Sequence, residues 1–547
     1  MGEATKWLLG QYSKAVKNRD DLEAIKRVAC KKYGLKAILN SDILQEYRQS
    51  LSQSGIRLPL LEAILRKRSV RTLSGIAPVA ILTKSYPCPG HCAYCPHEKD
   101  VPTSYLSNEP AVMRAIRCDY DPYRQVVSRL RSLENNGHEP TKIEIIVIGG
   151  TWSYLPTSYK YWYILSCFRA ANDYELLSKK LLKMSEGEGA AEDFKHNFLH
   201  QNSPYRKNLS KEFLQKTLET EQKKNETAKY KIIGLTLETR PDYINEAELI
   251  EMRELGCTRV EIGVQAVDDE ILKLNKRGHG VKEIAAATKA LKQYGFKITY
   301  HLMPALPGAT PAKDFILFKR LFTDERFQPD QIKFYPTVVT KGSLLYRWYK
   351  QGKYKPYSDR VLQELIVKCK NFVPTYVRII RLVRDIPGES IIAGNKITNL
   401  RQIMKDRGVK CSCIRCRESR EQKLITDYKK SVVEYLSAGG KEYFISANSL
   451  DGKILYGFCR LRLDSASPVA AALVRELHVY GELVSVGGLK KTQHRGLGRE
   501  LLGEAEKIAK QNAANQIAII SGVGARGYYR KLGYRLFNSY MVKKLIS

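Results

Sequence analysis

The chain has 547 residues, 43% of them hydrophobic, enough for a large core and too many for one ordinary domain; at about 150 residues per domain, three or four are expected. Its 91 Lys and Arg against 57 Asp and Glu give a formal charge of +34, an excess that predicts a polyanionic partner, RNA or DNA, held by contacts that weaken with salt. No apolar run is long enough to span a bilayer and no signal-peptide core follows Met1, so no membrane role is expected and a cytoplasmic location is.

Residues 1–75 are predicted to form short helices with a basic surface: Lys14, Lys17, Arg19, Lys26, Arg27, Lys31 and Lys32, then Arg66, Lys67, Arg68 and Arg71. A solvated helical face accounts for any one of them. Together they make an expected nucleic-acid platform.

From 76 to 395, β-branched runs alternate with helix-length segments, with strands predicted at Val79 to Leu82, Ile143 to Ile148, Ile232 to Leu237, Arg259 to Val264, Ile298 to Leu302, Ile332 to Phe334 and Val377 to Ile380. That alternation implies βαβ units and a parallel sheet curling into a full or partial TIM-type barrel, an α/β fold. Just after the first strand runs Cys88-Pro-Gly-His-Cys92-Ala-Tyr-Cys95, three thiolates that suit an iron–sulfur cluster with one open iron. A structural zinc knuckle borrowing His91 or His97 is the alternative. The C-x3-C-x2-C run after a strand resembles the radical S-adenosylmethionine (SAM) enzymes, which implies a [4Fe-4S] cluster, bound SAM, a 5′-deoxyadenosyl radical and an electron donor. Polar groups where later strands stop, at Gly149-Gly150-Thr151, Glu238 to Asp242, Gln265, His301 to Pro304 and Tyr335 to Thr337, fit a site at the carboxyl ends of barrel strands.

Between Asn172 and Lys229 the pattern breaks into charged, weakly apolar sequence, expected to be an exposed helical or partly disordered insertion. The twelve cysteines include two tight clusters, 88/92/95 and 411/413/416, a usage that suits metal ligation plus buried thiols rather than disulfides. Residues 396–424 form a basic linker in which Cys411, Cys413 and Cys416 are expected to hold a structural zinc whose fourth ligand the sequence does not identify; three inert thiols are the alternative.

Residues 425–547 change character again. Strands predicted at Glu442 to Ala447 and Lys453 to Leu463 lead to Arg475-Glu476-Leu477-His478-Val479-Tyr480. Then Gln493-His-Arg-Gly-Leu-Gly-Arg499 opens a helix to about Asn512, followed by a strand at Gln516 to Ile520 and by Tyr528-Tyr529. Glycines at a helix start expose backbone N–H groups that suit a pyrophosphate. The succession resembles the GNAT acyltransferases, implying acetyl-CoA in the glycine loop and along the preceding strand, with Tyr528 or Tyr529 at the thioester; both tyrosines as core aromatics is the plainer reading.

Both halves in one basic chain resemble Elongator protein three, in its stand-alone archaeal form. The resemblance rests on Arg71-Thr-Leu-Ser-Gly-Ile-Ala77, Met113 to Arg117, Leu237-Glu-Thr-Arg-Pro-Asp242, Glu261-Ile-Gly-Val-Gln265, Asn275-Lys-Arg-Gly-His279 and the tyrosine pair. It implies carboxymethylation at C5 of the tRNA wobble uridine from acetyl-CoA and SAM. It places Cys88, Cys92 and Cys95 on the cluster and Gly149, Gly150, Arg240 and Gln265 near SAM. Lys142, Glu476, Leu477, His478, Val479, Leu497, Gly498, Arg499 and Tyr529 fall to acetyl-CoA, and Tyr528 and Tyr529 to thioester cleavage. A homodimer is admitted by this reading; accessory subunits are not specified by it. Ala266 stands where the family pattern has serine, and Arg495 and Leu497 where it has Gln and Phe, changes that remove no backbone N–H. Two other classes fit parts of the sequence: a protein lysine acetyltransferase with Glu476 as base, and a zinc-bearing RNA-binding scaffold.

Overall fold

A computed structural model describes residues 2–66, 75–184, 209–419, 427–481 and 496–545. The first four helices, Gly2–Ala15, Arg19–Lys32, Asn40–Ser54 and Pro59–Leu65, carry their own core of Leu8, Leu22, Ile43, Leu44, Leu61 and Leu65. Local chemistry sets their starts: Asn18 caps the second helix with its side chain, and Pro59 opens the fourth, where its missing N–H costs nothing. Lys17, Arg19, Arg27, Lys31 and Lys32 are exposed as expected of a basic face. Lys26 is not; it is buried, hydrogen-bonded to Glu23 at 2.9 Å and to Asn40. The Lys14 side chain and Lys67, Arg68 and Arg71 lie outside the described residues. Arg57 to Glu139 at 2.7 Å and Arg66 to the Gly137 carbonyl at 3.3 Å tie this unit to the next.

Seven strands then form one parallel sheet: β1 Ala77–Leu82, β2 Lys142–Ile148, β3 Lys231–Thr239, β4 Arg259–Gln265, β5 Lys297–Leu302, β6 Gln331–Phe334 and, after a short β7 at Val339–Thr340, β8 Arg378–Arg381. The order β1-β2-β3-β4-β5-β6-β8 is open at both edges, so the sheet is a partial barrel, and every predicted strand is present with ends moved by one or two residues. On β2, Ile143, Ile145 and Val147 are buried under the helices while Glu144, Ile146 and Ile148 face inward to the cavity. β9, Ile391–Ala393, pairs with β7.

The expected insertion is helical where the structure describes it, but packed and not simply exposed. Residues 172–184 complete the long helix Thr157–Met184, and the helix Lys211–Asn225 lies against it with Leu214, Leu218, Glu221, Gln222 and Asn225 buried. Asn225 takes the Ile232 N–H at 2.7 Å and donates to the Tyr230 carbonyl at 3.1 Å, so polar residues serve here as core. Low hydrophobicity misdirected the expectation; residues 185–208 lie outside the described residues.

The last unit is a second seven-stranded sheet of β10 Lys429–Ser437, β11 Gly440–Asn448, β12 Leu455–Leu463, β13 Ala472–Val479, β14 Gln516–Ile519, β15 Arg535–Phe537 and β16 Tyr540–Lys544, in the order β10-β11-β12-β13-β14-β16-β15. The helix Leu497–Gln511 packs on it through Leu497, Leu501, Leu502 and Ala505. Only the β13–β14 contact is parallel, and it covers only Ala472 to Val474, after which the two strands part.

This sheet is fastened to the barrel by buried charge. Arg475 reaches Asp330, just ahead of β6, at 3.0 Å and Glu442 of β11 at 3.0 Å, and Arg462 and Lys292 also approach Glu442, at 3.2 and 3.5 Å. Asp330, Glu442, Lys292, Arg462 and Arg475 are all sealed from water, and Tyr376 stacks on Tyr435 at 3.9 Å across the same seam. Burial alone would raise the Asp330 pKa, but Arg475, Lys292 and Arg460 outweigh it and keep the carboxylate ionised. Such pairs set which surfaces meet more than they add stability, because desolvation offsets most of their attraction.

Candidate active site: one cavity between barrel and acyltransferase sheet

The barrel encloses a cavity of about 1210 Å³. At one end it is lined by Cys88, Cys92 and Cys95; at the other by Phe458, Glu476, His478 and Tyr480 of the second sheet. Between them lie the inward residues of the barrel strands, among them Glu144, Glu238, Arg259, Glu261, Lys297, His301 and Lys333.

The cysteines sit on the loop after β1, at the carboxyl end of the strands, where the active sites of such barrels gather. Arg277 lies 3.2 Å from the Cys92 sulfur and Arg240 lies 4.0 Å from it. A hydrogen bond from Cys95, against the cost of burial, and these two guanidiniums hold the Cys92 thiol well below its ordinary range. Three soft thiol donors on one cavity wall, with two fixed cations to balance their charge, fit a [4Fe-4S] cluster. A side chain on Gly90 would strike the Arg240 guanidinium, so a larger residue there would have to push that cation away from Cys92. His91 and His97 are both exposed and neither lines the cavity, which removes support from the zinc-knuckle alternative.

The predicted SAM-side residues divide. Gly150, Arg240 and Gln265 line the cavity, Gln265 with a left-handed φ of 68°. Gly149 has φ 137° and backs onto Thr83, where any side chain would collide, so its work is close packing. Arg240 is gripped by Asp242 at 2.8 and 3.0 Å and donates to the Arg277 carbonyl at 2.7 Å. Burial would raise the Asp242 pKa, but His279 and Arg240 hold it low.

The acyl-CoA residues divide in the same way. Alternation along β13 turns Glu476 and His478 toward the cavity and Leu477 and Val479 toward the helix Leu497–Gln511. Gly498, in the first turn of that helix, lies so close to the Tyr528 hydroxyl that a side chain there would meet it at 2.9 Å. Leu497 is buried beneath the turn and Arg499 is exposed. Tyr528 is 43% exposed, whereas Tyr529 is 7% exposed within the second sheet's core. Burial raises the pKa of both phenols, that of Tyr529 further. Lys142 stands at the amino end of β2 opposite Lys231, and burial together with that like charge lowers its pKa. Gln493, His494 and Arg495 of the predicted glycine loop lie outside the described residues.

Residues 84–318 match the Radical SAM superfamily, 329–408 the Radical_SAM C-terminal domain and 414–534 the acetyltransferase (GNAT) family. A tRNA uridine(34) acetyltransferase of Dehalococcoides mccartyi is 43% identical, covering 88% of this chain and 100% of its own. Elongator complex protein 3 of Homo sapiens is 36% identical over 96% of this chain and 93% of its own. The solved structure of the archaeal Methanocaldococcus infernus Elp3 with its N-terminus (1–46) deleted, 36% identical, superposes with a TM-score of 0.69, covering 86% of this chain and 99% of that one.

The chain belongs to the Elongator complex protein 3 family.

The chain carries a second thiol trio, the one expected of the linker. Cys411, Cys413 and Cys416 place their sulfurs within 4.8 Å of one another, and no fourth His, Cys, Asp or Glu joins them among the described residues. Cys413 is fully buried, and the following turn, Ile414–Arg417, leads to Glu418, which holds Arg378 at 2.7 Å.

Of the polar strip inside the barrel, sequence reading picked out Glu238 and His301 at strand ends and gave no site role to Glu261 and Lys333. Glu261 is fully buried; His301 lies 2.8 Å from it, Lys333 touches it, and His301 also approaches Glu238 at 3.4 Å. Burial would raise the Glu261 pKa, but Lys333, His301 and Arg259 drive it well down. The signal was available: charged residues at every second position of strands otherwise apolar enough to be buried, as in Arg259-Val-Glu261.

Proposed function

We propose that this chain carboxymethylates C5 of the wobble uridine of tRNA, consuming acetyl-CoA and SAM. The carrying observation is that one cavity is walled by the three barrel cysteines and by the acyltransferase strand β13, so a radical generated at one wall and an acetyl group held at the other share a space. The family membership and the names of its relatives support the substrate class.

In this reading Cys88, Cys92 and Cys95 hold a [4Fe-4S] cluster, which with SAM and an outside one-electron donor supplies a 5′-deoxyadenosyl radical. Arg277 and Arg240 balance the charge at Cys92, and Gly150 and Gln265 border the SAM. The freed backbone edge of β13 from 475 to 479 receives the pantetheine, and the turn at Gly498 the pyrophosphate. Tyr528 protonates the departing sulfur in this reading, supported by its hydroxyl facing that turn. The exposed lysines and arginines of the first helices engage tRNA phosphates, in keeping with a cytoplasmic enzyme. Cys411, Cys413 and Cys416 hold a structural zinc in the linker.

The lysine acetyltransferase reading asks Glu476 to act as a base. Burial would raise its pKa, yet Lys297 at 2.8 Å and Arg460 at 3.0 Å hold it down to about 2, so it is a fastened carboxylate with little appetite for a proton. The deciding experiment is nucleoside analysis of tRNA incubated with the anaerobically purified protein, SAM, acetyl-CoA and a reductant. A carboxymethyluridine product is expected, and unmodified uridine alongside acetylated protein would overturn the proposal.

A further inference from the structure

Once β13 and β14 part after Val474, the edge of β13 from 475 to 479 is the natural berth for a thioester, and its side chains divide between two faces. Three β13-side groups border the cavity there: Glu476, His478 and Tyr480. Two are already engaged. Glu476 is held by Lys297 and Arg460, and the Tyr480 hydroxyl accepts from Arg378 at 3.0 Å.

His478 is fixed without being satisfied. Its ring lies nearly parallel to Phe458, 6.0 Å away, and against Tyr480 at 4.4 Å, while its Nε2 is buried with no hydrogen-bond partner among the described residues. A buried polar nitrogen left unpaired costs about 1–3 kcal/mol, and such an expense in a cavity points to a ligand that meets it.

We propose that the His478 imidazole donates a hydrogen bond to the carbonyl oxygen of an acyl thioester seated where β13 and β14 part, and thereby assists its hydrolysis. The inference rests on the acetyl-CoA reading above and adds the role of this residue. Water adds through its oxygen to the carbonyl carbon, the carbon–sulfur bond breaks, the acyl group leaves as a carboxylic acid and the sulfur departs as a thiol carrying a proton. His478 stabilises the negative charge that gathers on the carbonyl oxygen in between. It does so uncharged. Burial pushes its pKa down to about 4, with Arg378 of β8 and Lys297 of β5 adding to the fall and Glu476 of its own strand and Glu418 of the linker opposing it. A neutral imidazole can polarise a carbonyl in this way without first losing a proton.

The test uses the full chain with its cluster, following thiol release from acetyl-CoA in the presence of tRNA, together with acetyl-CoA affinity and SAM cleavage. His478→Phe, which keeps the stack on Phe458, is expected to lower kcat for thiol release about 100-fold with acetyl-CoA affinity and SAM cleavage near wild type. His478→Gln, whose amide N–H can occupy the same place, is expected to recover activity to within about tenfold of wild type, by a ratio that is constant from about pH 6 to 8 because the imidazole does not titrate there. Thiol release unchanged in His478→Phe overturns the inference, as does an equal fall in both variants accompanied by weakened acetyl-CoA binding, which marks a packing role. A wild-type protein that releases no thiol at all overturns the acetyl-CoA reading itself, and this inference with it.

Discussion

The two cysteine trios differ by two residues in their first spacing, C-x3-C against C-x-C, and do opposite things with their surroundings. Cys88, Cys92 and Cys95 open onto a cavity, with Arg277 and Arg240 pressed against the middle sulfur. Cys411, Cys413 and Cys416 close on one another, and none of them lines that cavity. Their neighbours are fasteners: Arg417 bonds the Thr375 carbonyl of the barrel side and Asn448 of β11, at 2.8 and 3.0 Å. In the proposed function the trio facing the cavity serves chemistry and the trio in the linker serves architecture, a division that open and structural metal sites show in general.

That contrast predicts which readout each substitution moves. The largest effect is expected at Cys92→Ser, which should abolish iron–sulfur colour and deoxyadenosine release while leaving any metal at the 411 trio in place; a variant that stays brown and active would break the contrast outright. Next is Tyr528→Phe, expected to slow thiol release from acetyl-CoA about 100-fold with tRNA binding intact, against a change of only about threefold for the core residue Tyr529→Phe. Reversed magnitudes would assign the acid to Tyr529.

On the fastening side, Arg475→Met removes the buried cation that Asp330 and Glu442 share and should cost about 3–5 kcal/mol, read as a lowered thermal midpoint with cluster content unchanged. Cys413→Ser should release metal from the linker, measured by elemental analysis, and lower the same midpoint less. Smallest is the pH response of the seam. Glu476 has its pKa depressed from 4.5 to about 2, so its contribution is complete above about pH 4.5 and fades as pH falls toward 2. Wild type should therefore lose more stability than Glu476→Gln between those limits, and parallel curves would remove Glu476 from the fastening.

Much of this was legible in the chain. β-branched runs such as Ile143 to Ile148 marked every barrel strand, and thiol spacing together with the Gly496-Leu-Gly498 turn marked both halves, because each signal is local. What the sequence hid is made of partners far apart. Arg475 meets Asp330 across 145 positions and Lys333 meets Glu261 across 72, and neither residue's type reveals its partner. The segment after Asn172 misled for a related reason: Glu221, Gln222 and Asn225 read as solvent-loving until their hydrogen bonds inside the helical coat are known. Tyr528 and Tyr529 are adjacent in sequence, and only the fold gives one of them to the glycine turn and the other to the core.

The charged seam also bears on how this molecule can be taken apart. Severed in the linker, the acyltransferase half would present Arg460, Arg462 and Arg475 to solvent with Glu442 among them, and the barrel would present Lys292 and an Asp330 stripped of Arg460 and Arg475. Each fragment would carry a raw, highly charged wound where its counterpart had been. Domain truncations of this chain are therefore damaged halves, and silence from either one in an assay says nothing about what the intact molecule can do.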